Sequence, residues 1–243
     1  MLLLMDTALL VHGFAGTAGS WDAVSALLDR KRYRPLAVDL RGHGQTAGAS
    51  PISFDLCISD LLAAAPQRFT LVGYSMGGRI ALQLALAAPE RVERLVLVST
   101  TAGLSDAADR ELRLERDLAL ASEIETSSIA EFADSWLAGP LFCGDRAEVN
   151  AAARSEIKKN TPVGLARALR GLSVGLMEPV WGRLGEVDMP TTVIAGEHDR
   201  QYVALAEQLS QSIQSSQLMI IPGAGHAIPR NAPGELAALL SAA

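Results

Sequence analysis

The sequence predicts an α/β protein with a mostly parallel sheet and helices on both of its faces. Short apolar runs of strand length recur along the chain, and stretches with helical spacing of apolar residues separate them. This alternation favours β–α–β units, whose strands pair in parallel and need helices over both faces. The predicted strands are Ala8–Val11, Arg34–Val38, Phe69–Val72, Leu95–Val98, Thr192–Ala195 and Leu218–Ile221.

The helices between these strands are predicted from the spacing of their apolar residues. Each segment carries apolar side chains three and four residues apart, so that one face can pack on the sheet. The predicted helices are Trp21–Leu28, Leu56–Ala64, Met76–Ala87, Val203–Gln211 and Gly234–Leu240.

The segment between Ser99 and Pro190 shows helical periodicity and no convincing strand. A structureless loop of this length is uncommon in a compact domain, whereas a helical lid over a pocket is a common insertion. We therefore predict one domain with a core of residues 1–99 and 190–243 and an inserted helical cap of residues 100–189. The helices predicted in the cap are Asp106–Glu125, Ile129–Leu137, Ala147–Lys159 and Val163–Leu172.

Composition restricts the class of protein. The chain has 243 residues, 49% hydrophobic and 20% charged, which is typical of one globular domain. Its net charge of −6 argues against a nucleic-acid partner, which requires clustered Lys and Arg. Cys57 and Cys143 do not indicate a disulfide framework, so we expect a cytoplasmic protein. The oligomeric state is left open.

The apolar first residues, MLLLMDTALLVHGF, are expected to form a buried strand. They lack the basic segment and the small-residue cleavage site of a signal peptide. Asp6 interrupts the run before it reaches membrane-spanning length. We therefore predict no membrane association.

No metal or cofactor motif is present in the sequence. The four histidines are scattered, and H-E-x-x-H, C-x-x-C and G-x-G-x-x-G are all absent. We therefore predict neither a metal nor a cofactor.

The segment GYSMG matches G-x-S-x-G, the pattern of a nucleophile elbow, and places Ser75 at its centre. It stands between the predicted strand FTLV and the helix that begins at Met76. Its glycines leave room for a sharp turn, and the helix start provides free N–H groups beside Ser75. This context predicts Ser75 as the reactive serine.

Two polar segments, GEHD and GAGH, follow later predicted strands and end in Asp199 and His226. The carboxyl ends of parallel strands share one edge, so we expect both side chains near Ser75. His226 would accept the serine proton, and Asp199 would hold its tautomer. Glu197 is the competing acid.

Two backbone amides are candidates for an oxyanion hole. Phe14 follows the first strand in the segment VHGF, and Met76 follows the reactive serine. His43 and His198 are weaker candidates for the base. His43 lies in the glycine-rich turn RGHG, where a histidine usually braces the loop.

The segments VHGF, DLRGHG, GYSMGGR, GEHD and GAGH resemble the α/β-hydrolase superfamily over nearly the whole chain. Within it, GYSMGGR, DLRGHGQT and LRGLSVGLMEPVWGRL resemble the family of 2-succinyl-6-hydroxy-2,4-cyclohexadiene-1-carboxylate synthases of menaquinone biosynthesis. The resemblance implies an α/β-hydrolase fold and a lyase. Its substrate would be 2-succinyl-5-enolpyruvyl-6-hydroxy-3-cyclohexene-1-carboxylate, from which it eliminates pyruvate by proton abstraction.

Alternatives remain open at this stage. The same triad would support acyl transfer in a serine hydrolase, such as a carboxylesterase, a lactonase or a C–C bond hydrolase. Ser75 would then attack as a nucleophile instead of acting as a base. A binding protein that had lost turnover would lack a triad member, and all three are present.

The resemblance also implies an anionic small-molecule substrate with several carboxylates, which arginine forks bind well. Arg79 lies four residues after Ser75, one helical turn along. In the predicted cap, Arg113 falls at the position that matches another substrate-binding arginine of the family. Arg110 and Arg116 are so near in sequence that either could be the matching residue instead.

The resemblance further implies that Tyr74 and Trp136 line the pocket, although packing in the core would explain either residue equally well. The family's third arginine has no clear counterpart. The segment ARSEIKKNTP offers Arg154, Lys158 or Lys159 in its place, and we take Lys158 as the candidate.

Overall fold

A computed structural model describes residues 5–242 and contains a six-stranded sheet in which every pair of neighbours is parallel. Residues 1–4 and 243, which we assigned to the core, lie outside the described residues. The strands are β1 (Asp6–Val11), β2 (Tyr33–Val38), β3 (Phe69–Tyr74), β4 (Val92–Val98), β5 (Thr191–Gly196) and β6 (Ser216–Ile221).

The strand order is β2-β1-β3-β4-β5-β6. From β1 the chain first moves to one edge of the sheet, at β2, and then continues on the other side of β1, from β3 to β6, so the direction of winding reverses at β1. A crevice opens at such a point beyond the carboxyl ends of the strands, and ligands usually bind there. Val11 at the end of β1 pairs in register with Gly73 of β3. The segments that contain Phe14 and Ser75 therefore leave the sheet side by side.

Helices cover both faces of the sheet, as predicted. In chain order they are α1 (Asp22–Leu27), α2 (Phe54–Ala64), α3 (Met76–Ala87), α4 (Ala107–Thr126), α5 (Ile129–Leu137), α6 (Ala147–Ile157), α7 (Pro162–Leu172), α8 (Arg200–Ser212), α9 (Ile228–Asn231) and α10 (Pro233–Ser241). The predicted strands and helices are all present, with ends that differ by a few residues, whereas α9 was not predicted.

Alternate residues of the strands face opposite layers of helices. Leu9 and Val11 pack with buried side chains of α2, α3 and α8, whereas Leu10 packs with those of α1 and α10. All three side chains are fully buried. This pattern produces the near-continuous apolar runs from which the strands were predicted.

Along the chain, the helices α4 to α7 come between β4 and β5, and they share a hydrophobic cluster of their own. Ile124, Phe132, Ile157 and Leu165 belong to that cluster, and Ala15 of the sheet-bearing part packs with them. The two chain segments that join these helices to the sheet are bonded together, because Val180 N–H donates to the Ala102 carbonyl at 2.8 Å.

No helix within residues 5–242 combines the length and the apolar composition that crossing a membrane requires.

Candidate active site

Ser75 occupies a strained turn between β3 and α3. Its φ of 52° and ψ of −112° lie in a region that non-glycine residues rarely adopt. The Ser75 N–H donates to the Val98 carbonyl at 2.9 Å, and the Thr100 hydroxyl donates to the Ser75 carbonyl at 2.8 Å. These bonds to the end of β4 and to the segment that follows it hold the turn in place.

Ser75, His226 and Asp199 form one hydrogen-bonded chain. The Ser75 Oγ lies 3.1 Å from His226 Nε2, and His226 Nδ1 lies 2.6 Å from Asp199 Oδ2. The imidazole is 2% exposed. Because a carboxylate only accepts hydrogen bonds, Nδ1 carries a proton toward Asp199 and Nε2 is free to accept the serine proton.

The structure separates the two candidate acids. Glu197 is exposed, and its Oε2 accepts the Gly223 N–H at 2.8 Å, which fixes the loop before His226. Asp199 begins α8, where its second oxygen accepts the Tyr202 N–H at 3.4 Å. His198 is exposed and takes no part in this chain of hydrogen bonds.

The backbone amides of Phe14 and Met76 lie beside the serine. A Cβ atom on Gly13 would approach Ser75 Cβ to 3.3 Å, and one on Gly77 would approach the Val11 carbonyl oxygen to 2.4 Å. The end of β1 therefore touches the first turn of α3. Within residues 5–242 neither the Phe14 nor the Met76 N–H donates to a protein acceptor.

His12 and His43 hold the loop after β1 in place through hydrogen bonds. His12 Nε2 accepts the Leu40 N–H at 3.0 Å, and His43 Nε2 accepts the Ala15 N–H at 3.3 Å. Burial lowers the pKa of both imidazoles, that of His43 to about 3. Both are therefore neutral near pH 7 and bind the loop instead of exchanging protons.

A cavity of about 390 Å³ opens over the triad. Ser75 and His226 line it, and so do the other predicted site residues except Asp199 and Lys158. These lining residues are Phe14, Tyr74, Met76, Arg79, Arg113 and Trp136.

Arg79 brings a buried positive charge to this cavity. The residue is 7% exposed, and one terminal nitrogen donates to the Leu172 carbonyl at 3.3 Å. Its Nε has no protein partner within the described part of the chain. Burial lowers the pKa of Arg79 to about 10, so the group is still charged at neutral pH. An anionic ligand would supply an acceptor for the unpaired Nε and compensate the buried charge.

Helix α4 contributes Arg113 to the cavity. Its Nε donates to Asp117 Oδ1 at 2.9 Å, and the buried Asp117 also accepts the Ser173 hydroxyl at 2.6 Å. Of the two alternatives in the register, Arg116 also lines the cavity, whereas Arg110 donates to nearby backbone carbonyls. The structure thus reduces the ambiguity to Arg113 and Arg116.

Aromatic rings form much of the remaining wall. The Trp136 ring lies 5.3 Å from the Phe14 ring, and the Tyr74 ring lies 5.5 Å from His226. Burial raises the pKa of Tyr74. Tyr202, which the sequence reasoning missed, is closer to His226, at 4.5 Å between ring centres. Its position three residues after Asp199, in the first turn of α8, is the signal that could have identified it.

Lys158 does not reach the cavity, contrary to our prediction. It is exposed at the end of α6, because that helix turns Ala153 and Ile157 into the hydrophobic cluster shared by α4 to α7. The other two candidates from this segment bind elsewhere, Lys159 to Glu156 at 2.6 Å and Arg154 to Asp134 at 2.5 Å.

Arg230 lines the cavity and was missed. It lies four residues after His226, the same spacing by which Arg79 follows Ser75.

No group of three or more His, Cys, Asp or Glu side chains that could hold a metal ion occurs among the described residues.

The fold agrees with the comparisons with known proteins. The model of an alpha/beta hydrolase family matches residues 8–239, and the chain belongs to this family. The structure of MenH from S. aureus superposes with a TM-score of 0.90 at 27% identity, covering 98% of this chain and 93% of that one.

Two sequence relatives carry different functional names. The 2-succinyl-6-hydroxy-2,4-cyclohexadiene-1-carboxylate synthase of Enterobacter sp. (strain 638) is 30% identical over 95% of this chain and 88% of its own. The pimeloyl-[acyl-carrier protein] methyl ester esterase of Nitrosomonas europaea is 32% identical over 90% of this chain and 87% of its own.

Proposed function

We propose that this chain is a carbon–oxygen lyase that eliminates pyruvate from 2-succinyl-5-enolpyruvyl-6-hydroxy-3-cyclohexene-1-carboxylate and forms 2-succinyl-6-hydroxy-2,4-cyclohexadiene-1-carboxylate. The observation that carries the proposal is the placement of Arg79 and Arg113 in the cavity of Ser75, in a protein of net charge −6. Guanidinium groups suit the carboxylates of such a substrate. The synthase relative and the MenH structure support the same assignment.

The reaction uses the triad for proton transfer. His226 Nε2 accepts the Ser75 hydroxyl proton while Asp199 stabilises the imidazolium that forms. The Ser75 oxygen then takes a proton from the ring carbon that carries the succinyl group, C2, and the electron pair of that C–H bond forms the C2=C3 double bond. The electrons of the former C3=C4 double bond shift to C4=C5, and the bond from C5 to the enolpyruvyl oxygen breaks with its electron pair leaving on that oxygen. The proton held by His226 is released to the departing enolate, which becomes pyruvate, and the neutral triad is restored.

The N–H groups of Phe14 and Met76 would stabilise the negative charge that develops during the elimination. Both are free of protein acceptors among the described residues and lie next to Ser75. Donors that are already in position cost no reorganisation when the charge appears.

We further propose that residues 100–189 act as the cap of this site and that residues 1–99 and 190–243 form its catalytic core. Arg113 and Trp136 come from the cap segment, whereas the three triad residues come from the core. In this arrangement the core supplies the proton transfer and the cap selects the substrate.

A serine hydrolase is the second candidate. An apolar chamber of about 250 Å³ lies beside the cavity, and Leu120, Phe132, Trp136 and Phe142 are among its walls. It could hold the acyl chain of an ester, and the esterase relative favours this alternative. Arg79, a buried cation, would have no partner on an uncharged ester.

The deciding experiment measures pyruvate release from the enolpyruvyl substrate and, in parallel, hydrolysis of p-nitrophenyl acetate. We expect rapid pyruvate release and slow ester hydrolysis, with both activities lost in Ser75→Ala. Arg79→Met should keep the fold and weaken transition-state binding by about 2–4 kcal/mol, because a carboxylate loses its partner. Fast ester hydrolysis without pyruvate release would establish the hydrolase instead.

A further inference from the structure

Arg230 has the same unusual feature as Arg79. Two arginine Nε atoms are buried without a hydrogen-bond partner in the described part of the chain, those of Arg79 and Arg230. Both residues line the cavity that contains Ser75. The two guanidinium groups with unpaired donors therefore line the same cavity.

Several other arginine side chains of the described residues have carboxylate or carbonyl partners. Arg94, which is also buried, donates to the carbonyls of Leu240 at 2.9 Å and Leu239 at 3.0 Å. Further pairs are Arg41–Asp60, Arg154–Asp134, Arg170–Glu125 and Arg183–Glu186. Arg79 is buried and Arg230 is half-buried, and an enclosed guanidinium donor without a partner is costly unless a ligand supplies the acceptor.

The side chain of Arg230 is positioned before any ligand arrives. Its guanidinium carbon lies 5.6 Å from the centre of the Phe142 ring, a cation–π distance. The following residue, Asn231, donates to Asp145 Oδ1 at 2.9 Å and so fastens α9 to the cap. Within residues 5–242 Arg230 forms no ion pair with Asp145 or another carboxylate.

Arg230 lies in a different part of the cavity from Arg79 and Arg113. Arg79 donates to the Leu172 carbonyl, and Arg113 donates to Asp117, which also accepts the hydroxyl of the neighbouring Ser173. Arg230 lies instead over the Phe142 ring. A ligand with carboxylates on different arms could therefore bind both groups at once.

We propose that Arg230 is a second carboxylate subsite of the cavity, distinct from Arg79 and Arg113 and built from the core helix α9. The assignment rests on the proposed lyase function, whose substrate carries carboxylates on several arms. It also replaces the cation that we expected from Lys158: the core provides this charge, not the cap.

The test compares Arg230→Met with wild type. Methionine keeps an unbranched side chain over Phe142 and removes the charge. We measure kcat and KM for pyruvate release, and by calorimetric titration the dissociation constants of the cyclohexadiene product and of pyruvate. We expect at least a tenfold rise in KM and a similar loss of affinity for one of the two products, because a charge-assisted bidentate contact is lost.

Two further variants separate binding from structure. Arg230→Lys should recover part of the lost affinity, since it retains the charge but not the fork. Arg167→Met removes an exposed cation of α7 that does not line the Ser75 cavity, and this variant should match wild type.

The outcomes are distinguishable. An active wild type with unchanged KM and unchanged product affinities in Arg230→Met would overturn the subsite alone. A wild type that releases no pyruvate and binds neither product would overturn the proposed function, and the subsite with it.

Discussion

Ser75 holds a backbone conformation that few residues with a side chain adopt, and the site depends on it. Such a conformation costs about 1–3 kcal/mol and persists only where its surroundings enforce it. The bonds to Val98 and Thr100 supply that enforcement. The consequence is that Ser75 Oγ points away from the sheet and toward His226.

Replacing Asp199 by Asn should lower kcat for pyruvate release by about 10³–10⁴-fold, because the amide no longer holds the required tautomer of His226. Glu197→Gln should change kcat less than tenfold, since Glu197 is exposed and bonds only to a backbone amide. Steady-state kinetics of the two variants checks this. The opposite ranking would show that Glu197 is the acid.

The sequence could identify single residues where a motif fixed their role, but not where orientation decided it. Ser75, Asp199 and His226 stand in segments whose spacing and order are informative. Lys158 and Arg230 depend on which way a helix turns its side chains. Periodicity predicted the start of α6 correctly but ended the helix at Lys159 instead of Ile157, and it gave no signal for α9, so one residue was wrongly included and the other missed.

At the scale of elements, α3 packs against the end of β1 with no room for a side chain at Gly77. A methyl group there would come within 2.4 Å of the backbone oxygens of Val11 and His12, which cannot move aside without shifting β1. The glycine thus sets the distance between the helix and the strand.

Gly77→Ala should lower the free energy of unfolding by at least about 2 kcal/mol, because overpacking against rigid backbone is costly. Urea denaturation measures it. Gly234→Ala is the matched control: nothing lies within 4 Å of the added methyl, in the first turn of α10. That variant should be stabilised by about 0.4–1 kcal/mol. Equal effects in the two variants would contradict the packing argument.

Long periodic elements were predictable and short ones were not. The strands and the helices of the core and the cap were found, because each repeats its apolar spacing over several residues. Ile228–Asn231 makes little more than one helical turn, and the tertiary contacts that stabilise so short a helix leave no periodic signal.

At the scale of the whole molecule, buried neutral histidines make stability depend on pH. The pKa of His43 falls from 6.5 in the unfolded chain to about 3 in the fold, and the pKa of His12 is lowered as well, in both cases first because of burial. The unfolded chain therefore binds more protons between these pH values. The stabilisation is complete above pH 6.5 and is lost progressively as the pH falls toward 3.

The free energy of unfolding should accordingly fall by up to about 1.4 kcal/mol per pH unit for each of these histidines below pH 6.5. Urea titrations at several pH values between 7.5 and 4.5 give the slope. His43→Gln should be less stable at pH 7.5 but show a shallower slope. The exposed His198→Gln is the control and should follow wild type. An unchanged slope in His43→Gln would contradict this account.

The bond between Val180 and Ala102 has a consequence for how this protein could diversify. It joins the two segments through which the chain leaves and re-enters the sheet, and the Trp181 indole adds a second bond, to the Gly103 carbonyl, at 2.8 Å. Since β4 and β5 are sheet neighbours, the ends of the long excursion already meet. The entropy of closing a loop grows only slowly with its length once its ends are held together. Evolution can therefore lengthen, shorten or exchange this excursion while the sheet and the hydrogen-bonded chain of Ser75, His226 and Asp199 are inherited unchanged.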